Sequence, residues 1–304
     1  MQLRQALRAA IAELEAAGID QPRLQAEVLA FHVLGCDRAY LFAHPERELT
    51  TAEQSRYDHL IARRAAGEPL QYLTGHQEFW KADFLVTPAV LIPRPETEHL
   101  VEAVLALVRA SHLSRTNSGE GGAPSLRLID VGTGSGAIAV TLARELPEAE
   151  VHAVDLSPEA LVVARLNAER LGARVHFAQS DLLGSIACDA SFDVVVSNPP
   201  YVAESEPDAV QEVVRRHEPP LALFAGDDGL DVIRRLIPQA REALRPGGWL
   251  VFEIGYGQWE AVRALLHPST PTAGALGTPL TDWDTVHSTS DLAGIPRVVT
   301  ARKR

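Results

Sequence analysis

Asn198-Pro199-Pro200-Tyr201 is the stretch of this 304-residue chain best suited to chemistry. Two consecutive prolines have fixed φ and no N–H to donate. The Asn198 side-chain oxygen and the Pro199 carbonyl then stand as two rigid acceptors, able to take both hydrogens of one NH₂ group. Tyr201 offers a flat face for a planar amide or base. The four residues follow the apolar run 192–197, which reads as a buried parallel strand. Open α/β sheets place their chemistry at such carboxyl ends. The arrangement would bind and orient an amino group attached to a π-system. Asn-Pro and Pro-Pro are also ordinary turn signals, so the residues upstream decide between the two readings.

Upstream, 126–131 reads as a first strand, followed by Gly132-Thr133-Gly134-Ser135-Gly136 and a helix over 137–143. Glycines at a strand-to-helix turn let backbone approach a ligand closely. The next strand, 151–154, ends in Asp155. That acid lies about twenty residues past the glycines, the distance at which a carboxylate bonds ribose hydroxyls. Gly132, Gly134 and Ala137 also satisfy the dinucleotide pattern G-x-G-x-x-G/A. Three features favour S-adenosylmethionine (SAM) over a nicotinamide. The G-x-G-x-G spacing resembles that of SAM-dependent methyltransferases. Asp181 is expected to end a third strand (174–178), where such enzymes hold adenine, and a fourth strand then delivers Asn198 to Tyr201. Asp155 and Asp181 also suit helix capping, but Ser157 before Pro158 is the better N-cap and leaves Asp155 for a ligand.

The elements around these motifs divide the chain in three. Residues 1–75 read as helices. Leu3, Leu7, Ala10, Leu14 and Ala17 form one stripe that ends at Gly18. Pro22 opens a second helix with Leu24, Val28 and Phe31 inward and Gly35 at its end. Thr51 and Gln54 suggest a capping box for another, with Tyr57, Leu60 and Ile61 inward and Gly67 terminal. His32, His44 and His59 show no ligand spacing. Residues 76–93 read as a β-hairpin turning at Ala82-Asp83, and 94–304 as an α/β domain. Within that domain Pro95 starts a helix through Val108, and 111–125 reads as a polar linker. A helix over 230–244 stops at Arg245-Pro246-Gly247-Gly248 and a fifth strand covers 249–254. Residues 268–279 form a low-complexity loop, and 285–288 and 297–301 are closing strands.

A net charge of −12, from 40 acids against 28 bases, argues against a broad nucleic-acid footprint. The two cysteines, Cys36 and Cys188, have neither metal nor redox spacing. No run reaches the roughly 18 apolar residues of a membrane span. Glu13, Glu15 and Asp20 interrupt the opening residues, unlike a secretory leader. A cytoplasmic protein, not bound to membrane, is the expectation.

Together these residues resemble the PrmC/HemK family of protein-(glutamine-N5) methyltransferases acting on peptide chain release factors. The likeness covers nearly the whole chain. It rests on Leu91-Ile92-Pro93-Arg94-Pro95-Glu96-Thr97-Glu98, on Asp130 through Gly136, on Ser197 through Tyr201, on Gly226-Asp227-Asp228-Gly229-Leu230 and on Glu253-Ile254-Gly255. Asn-Pro-Pro-Tyr alone is shared with DNA adenine-N6 and rRNA guanine-N2 methyltransferases. The Ile-Pro-Arg-Pro-Glu-Thr-Glu segment and the helical N-terminal module select this family.

The resemblance implies a Rossmann-like fold with a small all-α domain and a linking hairpin. Gly132, Thr133, Gly134, Ser135 and Gly136 would line the methionine and ribose of SAM, and Asp155 would hold the ribose hydroxyls. Asp181 and Leu182 would flank the adenine. Asn198, Pro199, Pro200 and Tyr201 would hold the glutamine of a Gly-Gly-Gln loop, with Asn198 also beside the cofactor. Residues 1–75 would dock the release factor, and the protein would act as a monomer. No metal or nucleic acid enters this reading. Two positions depart from the family pattern: Lys81, where glycine is expected, and Leu182, where some relatives carry Trp. A nucleic-acid amino methyltransferase is the first rival, and a non-catalytic SAM-binding adaptor the second.

Overall fold

A computed structural model describes residues 1–116, 126–186, 191–206, 210–267, 283–291 and 293–304, without the side chains of 111–116. The chain separates into two compact units, Met1–His76 with Gln211–His217, and Gln77–Val210 with Glu218–Arg304.

The first unit is helical: α1 (Leu3–Ala16), α2 (Pro22–Leu34), α3 (Arg38–Ala43), α4 (Thr51–Ala65) and α5 (Leu70–Thr74). Leu3, Ala6, Ala10 and Leu14 of α1 pack with Ala26, Leu29 and Ala30 of α2 and with Tyr57, Leu60 and Ile61 of α4. The buried Tyr57 hydroxyl donates to the Ala26 carbonyl at 3.0 Å. Three sequence expectations need correction here. The inner face of α2 carries Ala26, Leu29 and Ala30, with Phe31 partly buried against the same core as expected, and Leu24 is exposed. Ala17 lies outside α1 and is exposed. The capping box sits one residue earlier, with Thr50 and Glu53 exchanging bonds. Thr50-Thr51 followed by Glu53-Gln54 gives two overlapping versions of one pattern, and the acid wins at N3, where the helix dipole favours it.

The second unit opens with a hairpin, β1 (His76–Phe79) and β2 (Ala82–Leu85). Its turn is Trp80-Lys81, two residues earlier than Ala82-Asp83. Both turn residues lie in the left-handed region, at φ 51° and 58°, as a two-residue type I′ turn requires. Lys81 therefore stands where glycine would be unstrained. Trp80 is held by two carboxylates: its N–H donates to Glu98 and its Nε1 to Glu145, both at 2.8 Å.

A 3₁₀ turn (Pro95–Thr97) leads into α6 (Glu98–Thr116), which runs past Ser111 into the expected linker; 117–125 lie outside the described residues. There follow β3 (Arg127–Val131), α7 (Ala137–Glu145), β4 (Glu150–Asp155), α8 (Pro158–Arg170), β5 (His176–Gln179) and β6 (Phe192–Ser197). The first unit's α9 (Glu212–His217) comes next in the chain, then α10 (Asp231–Ala243), β7 (Leu244–Glu253), α11 (Trp259–Leu266), β8 (Trp283–Ser290) and β9 (Pro296–Lys303).

The seven strands run in the order β5-β4-β3-β6-β7-β9-β8. β3 through β7 are parallel, and β9 pairs antiparallel to β7 and β8. Successive strand residues face opposite sides. Leu128, Val194 and Val251 pack beneath α6 and α7, and Ile129, Val195, Leu250 and Phe252 beneath α10 and α11. Burial on both faces explains why these strands read as continuous apolar runs. β7 begins five residues before the expected Trp249. Arg245-Pro246-Gly247-Gly248 does not end the pairing; it bulges out between the Phe192–Leu244 and Val194–Trp249 pairs. β5 begins at His176 and ends at Gln179, so Asp181 stands beyond the strand and is exposed. The 268–279 loop lies outside the described residues.

One side chain fastens three segments of this unit. Asn167 of α8 is fully buried. Its Oδ1 accepts from Leu85 N–H (2.7 Å), and its Nδ2 donates to the carbonyls of Leu85 and Ser135, each at 2.9 Å. Asn167→Leu would keep the volume and strand those backbone groups, at about 1–3 kcal/mol for each buried group left unpaired. Urea unfolding followed by fluorescence is expected to show a loss of about 3 kcal/mol or more. A variant as stable as wild type would show that water replaces the amide.

Candidate functional site

β3 is the strand at which the sheet's connections reverse, with β4 and β5 on one side and β6 and β7 on the other. Loops leaving β3 and β6 therefore diverge, and a crevice opens at their carboxyl ends. A cavity of about 270 Å³ lies there. It is lined by Gly132, Thr133, Gly134 and Ser135, by Asp155, Asp181 and Leu182, and by Asn198 and Pro200. Gly136, Pro199 and Tyr201 are not among the lining residues. Thr97 and Arg94, from the Ile-Pro-Arg-Pro-Glu-Thr-Glu segment, line it too.

The glycine loop presents bare backbone to this space. Gly132 and Gly134 have φ of 74° and 56°, and a Cβ built on either meets nothing within 4 Å. A side chain there would be strained and would project into open room. Asp155 is held by its neighbours. Its Oδ2 accepts from Gly134 N–H at 2.8 Å and its Oδ1 from Ser157 N–H at 2.9 Å. Ser157 is the N-cap of α8, accepting from Ala160 N–H. Asp155 is thus spared capping but is engaged by backbone N–H groups, with acceptor capacity to spare. Burial raises its pKa, and its backbone hydrogen bonds pull the other way. This open backbone and half-satisfied acid fit a nucleoside bearing a ribose and a small polar tail. Asp181 is paired with Arg235 at 2.6 Å on the rim. Leu182 adopts φ 50°, which turns the chain after β5 beneath the cavity.

Asn198 is half-buried, and its Nδ2 donates to Thr97 Oγ1 at 3.1 Å. Thr97 donates to Glu253 Oε2 at 2.9 Å, and Tyr201 OH donates to Glu253 Oε1 at 3.1 Å. Burial, first of all, raises the pKa of Glu253; the hydroxyls of Thr97 and Tyr201 and the charge of Arg297 oppose it, and Glu96 adds to it. Burial likewise lifts the Tyr201 hydroxyl, with Glu253 adding to the effect.

Sequence reasoning found the motif ends but gave no role to several side chains that hold them. Gln258 donates to the Tyr201 carbonyl at 2.9 Å and accepts from Gly255 N–H at 2.8 Å. Gly229 lies so close that a Cβ there would meet the Tyr201 carbonyl at 2.3 Å, which accounts for a glycine in the 226–230 signature. Glu218 is buried and takes Ile92 N–H at 3.1 Å and Arg94 Nη2 at 2.5 Å, fixing the segment that carries Thr97. Glu253 and Gly229 lay within signatures already quoted. Gln258 and Glu218 carried no signal beyond their polarity near glycines and prolines. Among the described residues, no group of three His, Cys, Asp or Glu could hold a metal, and no helix is long and apolar enough to cross a membrane.

Residues 5–75 match the PrmC N-terminal domain and residues 110–222 the methyltransferase small domain. A release factor glutamine methyltransferase of Koribacter versatilis is 52% identical over 303 residues, covering 100% of this chain and 99% of the relative. One from Moorella thermoacetica is 49% identical over 267 residues, covering 87% and 89%. The hMettl16 catalytic domain, solved with the MAT2A 3'UTR hairpin 6, superposes with a TM-score of 0.51 at 17% identity, covering 88% of this chain and 92% of that one. That likeness shows a shared methyltransferase fold.

Asp130 lies beneath the glycine loop and is fully buried. Its Oδ2 accepts from Thr133 Oγ1 at 2.6 Å and Ala139 N–H at 3.2 Å, while Oδ1 has no partner. Burial pushes its carboxyl up to about 7; the two hydrogen bonds pull down and the charge of Asp155 pushes up. The folded state therefore binds this proton more tightly than the unfolded chain, whose value is 3.8. The resulting stability is complete below about pH 4 and is lost as pH rises to about 7. Asp130→Asn can accept the same two bonds with no charge to bury. Relative to wild type, the variant is expected to gain stability from pH 5 to pH 7.5 in urea titrations. An equal difference at both pH values would show that Asp130 does not titrate in this range.

Proposed function

We propose a reaction from one premise: the chain belongs to the release factor glutamine methyltransferase family. It is a methyltransferase, and its reaction moves a methyl group from SAM to the side-chain amide nitrogen, N5, of the glutamine in a release factor's Gly-Gly-Gln motif. S-adenosyl-L-homocysteine is the other product. The observation that carries this reading is that one crevice is lined by Gly132 to Ser135, Asp155 and Asn198. A site for a nucleoside and a site for an amide thus share one wall.

In this reading the bare backbone of Gly132 to Ser135 takes the methionine and ribose portion, and Gly136 lets the loop pack against α8. Asp155 receives the ribose hydroxyls with its remaining acceptor capacity, and Asp181 and Leu182 flank the adenine. SAM, when bound, supplies an electrophilic methyl group. An amide nitrogen is a poor nucleophile because its lone pair is delocalised into the carbonyl. The protein's contribution is orientation. Asn198 Oδ1 and the Pro199 carbonyl accept the two N–H bonds of the glutamine amide and turn its nitrogen toward the cofactor side of the crevice. Tyr201 lies against the amide plane. Holding two reactants in line can lower a barrier by up to about 7–11 kcal/mol. The same two acceptors stabilise positive charge that builds on the nitrogen. The nitrogen gains one methyl and loses one proton, which passes to solvent. Residues 1–75 dock the release factor, and the protein works as a cytoplasmic monomer.

The test is transfer of labelled methyl from SAM to a purified release factor, beside a factor whose Gly-Gly-Gln glutamine is changed to Ala. Label on the unmodified factor alone is the expected result. Label on DNA or rRNA instead would replace the acceptor and keep the fold. Asn198→Ala is expected to lower kcat by about 10²–10³, the scale for removing one positioned hydrogen-bond partner, with SAM affinity within about threefold by calorimetry. Equal losses in both would remove Asn198 from the amide-binding role.

A further inference from the structure

An asparagine amide is nearly symmetric in shape, and a half-turn about its last bond exchanges oxygen and NH₂. In Asn198 that exchange would reverse the site. An NH₂ facing the crevice would meet the N–H hydrogens of a substrate amide, donor against donor. Some contact must forbid the half-turn, and none of the four motif residues supplies it.

Thr97 does. Its hydroxyl owns a single hydrogen, and that hydrogen is given to Glu253 Oε2 at 2.9 Å. What the hydroxyl turns toward Asn198 is therefore a lone pair. Only the NH₂ end of Asn198 can meet it, and Nδ2 does so at 3.1 Å. Oδ1 is left for the crevice. Thr97 is 4% exposed and Glu253 3%, so little water reaches the chain of bonds. Glu253 also receives the Tyr201 hydroxyl at 3.1 Å, so one carboxylate holds both ends of the Asn198–Tyr201 run. An ionised carboxylate accepts only, so with Glu253 charged both bonds run toward it. We propose that Glu253 and Thr97 are positioning residues: Glu253 sets the direction in which the Thr97 hydroxyl donates, and Thr97 thereby aims the Asn198 oxygen at the substrate nitrogen. This assignment rests on the amide-methylating reading above.

Three variants test it: Thr97→Val, which keeps the shape without the hydroxyl; Thr97→Ser, which keeps the hydroxyl; and Thr97→Val combined with Asn198→Ala. Each is measured for kcat and KM on the release factor and for SAM affinity by calorimetry. Thr97→Val is expected to lose about 10–100-fold in kcat, the range for removing a group that orients a working side chain. KM and SAM affinity should stay within about threefold of wild type, and Thr97→Ser should restore the rate. Placing Thr97→Val on Asn198→Ala should cost less than about threefold more, because a residue acting only through Asn198 has nothing left to aim. Wild-type kcat in Thr97→Val, or losses that multiply in the double variant, would overturn the proposal. Should Thr97→Val fail to fold, Glu253→Gln decides. Its amide can donate to Thr97, freeing that hydroxyl to donate to Asn198 and permit the half-turn. A full rate there would sink the assignment; a reduced rate with intact SAM binding would support it. Failure of the underlying reading shows in the wild-type protein, as no label on the glutamine, and removes this inference with it. Failure of the positioning role shows only in the variants.

Discussion

Much of the site hangs on one buried carboxylate. Glu253 closes the last parallel strand, and its two oxygens receive hydroxyls from segments far apart in sequence, Thr97 ahead of α6 and Tyr201 after β6. A carboxylate in such surroundings is costly unless each oxygen is satisfied. The hydroxyls answer that demand, with Arg297 of β9 contributing its charge. The carboxylate is thereby made into a fixed point from which two loops are measured. The sheet supplies rigidity beneath it: β7 is bonded to β6 on one side and β9 on the other.

The remaining loops are fastened in the same manner, by side chains bonded to backbone groups rather than by regular structure. Gln258 holds the Tyr201 carbonyl, Glu218 the Ile92 N–H, and Asn167 both backbone groups of Leu85 and the Ser135 carbonyl. Loops at a sheet's end cannot pair with one another as strands do, yet their buried polar groups must be met. Amide and carboxylate side chains meet them at fixed length and direction. The result is a crevice whose walls are irregular in path but determined in position.

How far this was legible follows from the range over which each feature acts. The strand–glycine–helix turn, the acid after β4 and the motif after β6 are local patterns, and the structure brings Gly132 to Ser135, Asp155, Asp181, Leu182, Asn198 and Pro200 to one cavity. Errors arose where local signals were ambiguous or misleading. Arg245-Pro246-Gly247-Gly248 does follow the end of its helix, but β7 already begins at Leu244 and bulges through those residues beside β6. Trp80-Lys81 lacks the residues that favour a type I′ turn, yet two carboxylates hold Trp80 there. Asp181 was placed at a strand's end and instead pairs with Arg235 on the rim. In the sequence Thr97 and Glu253 stand only as parts of signatures. Their meaning lies in a contact spanning 156 residues of chain, which no periodicity can reveal.

Asp155 illustrates what the free protein has already settled. Gly134 and Ser157 N–H groups fix its rotamer with the crevice open. A ligand hydroxyl arriving there meets a carboxylate with no torsional freedom left to surrender, so the ordering entropy of recognition is spent in folding and not in binding. Such a site is preorganised. Its affinity depends less on closing around a guest than on keeping its own loops in register.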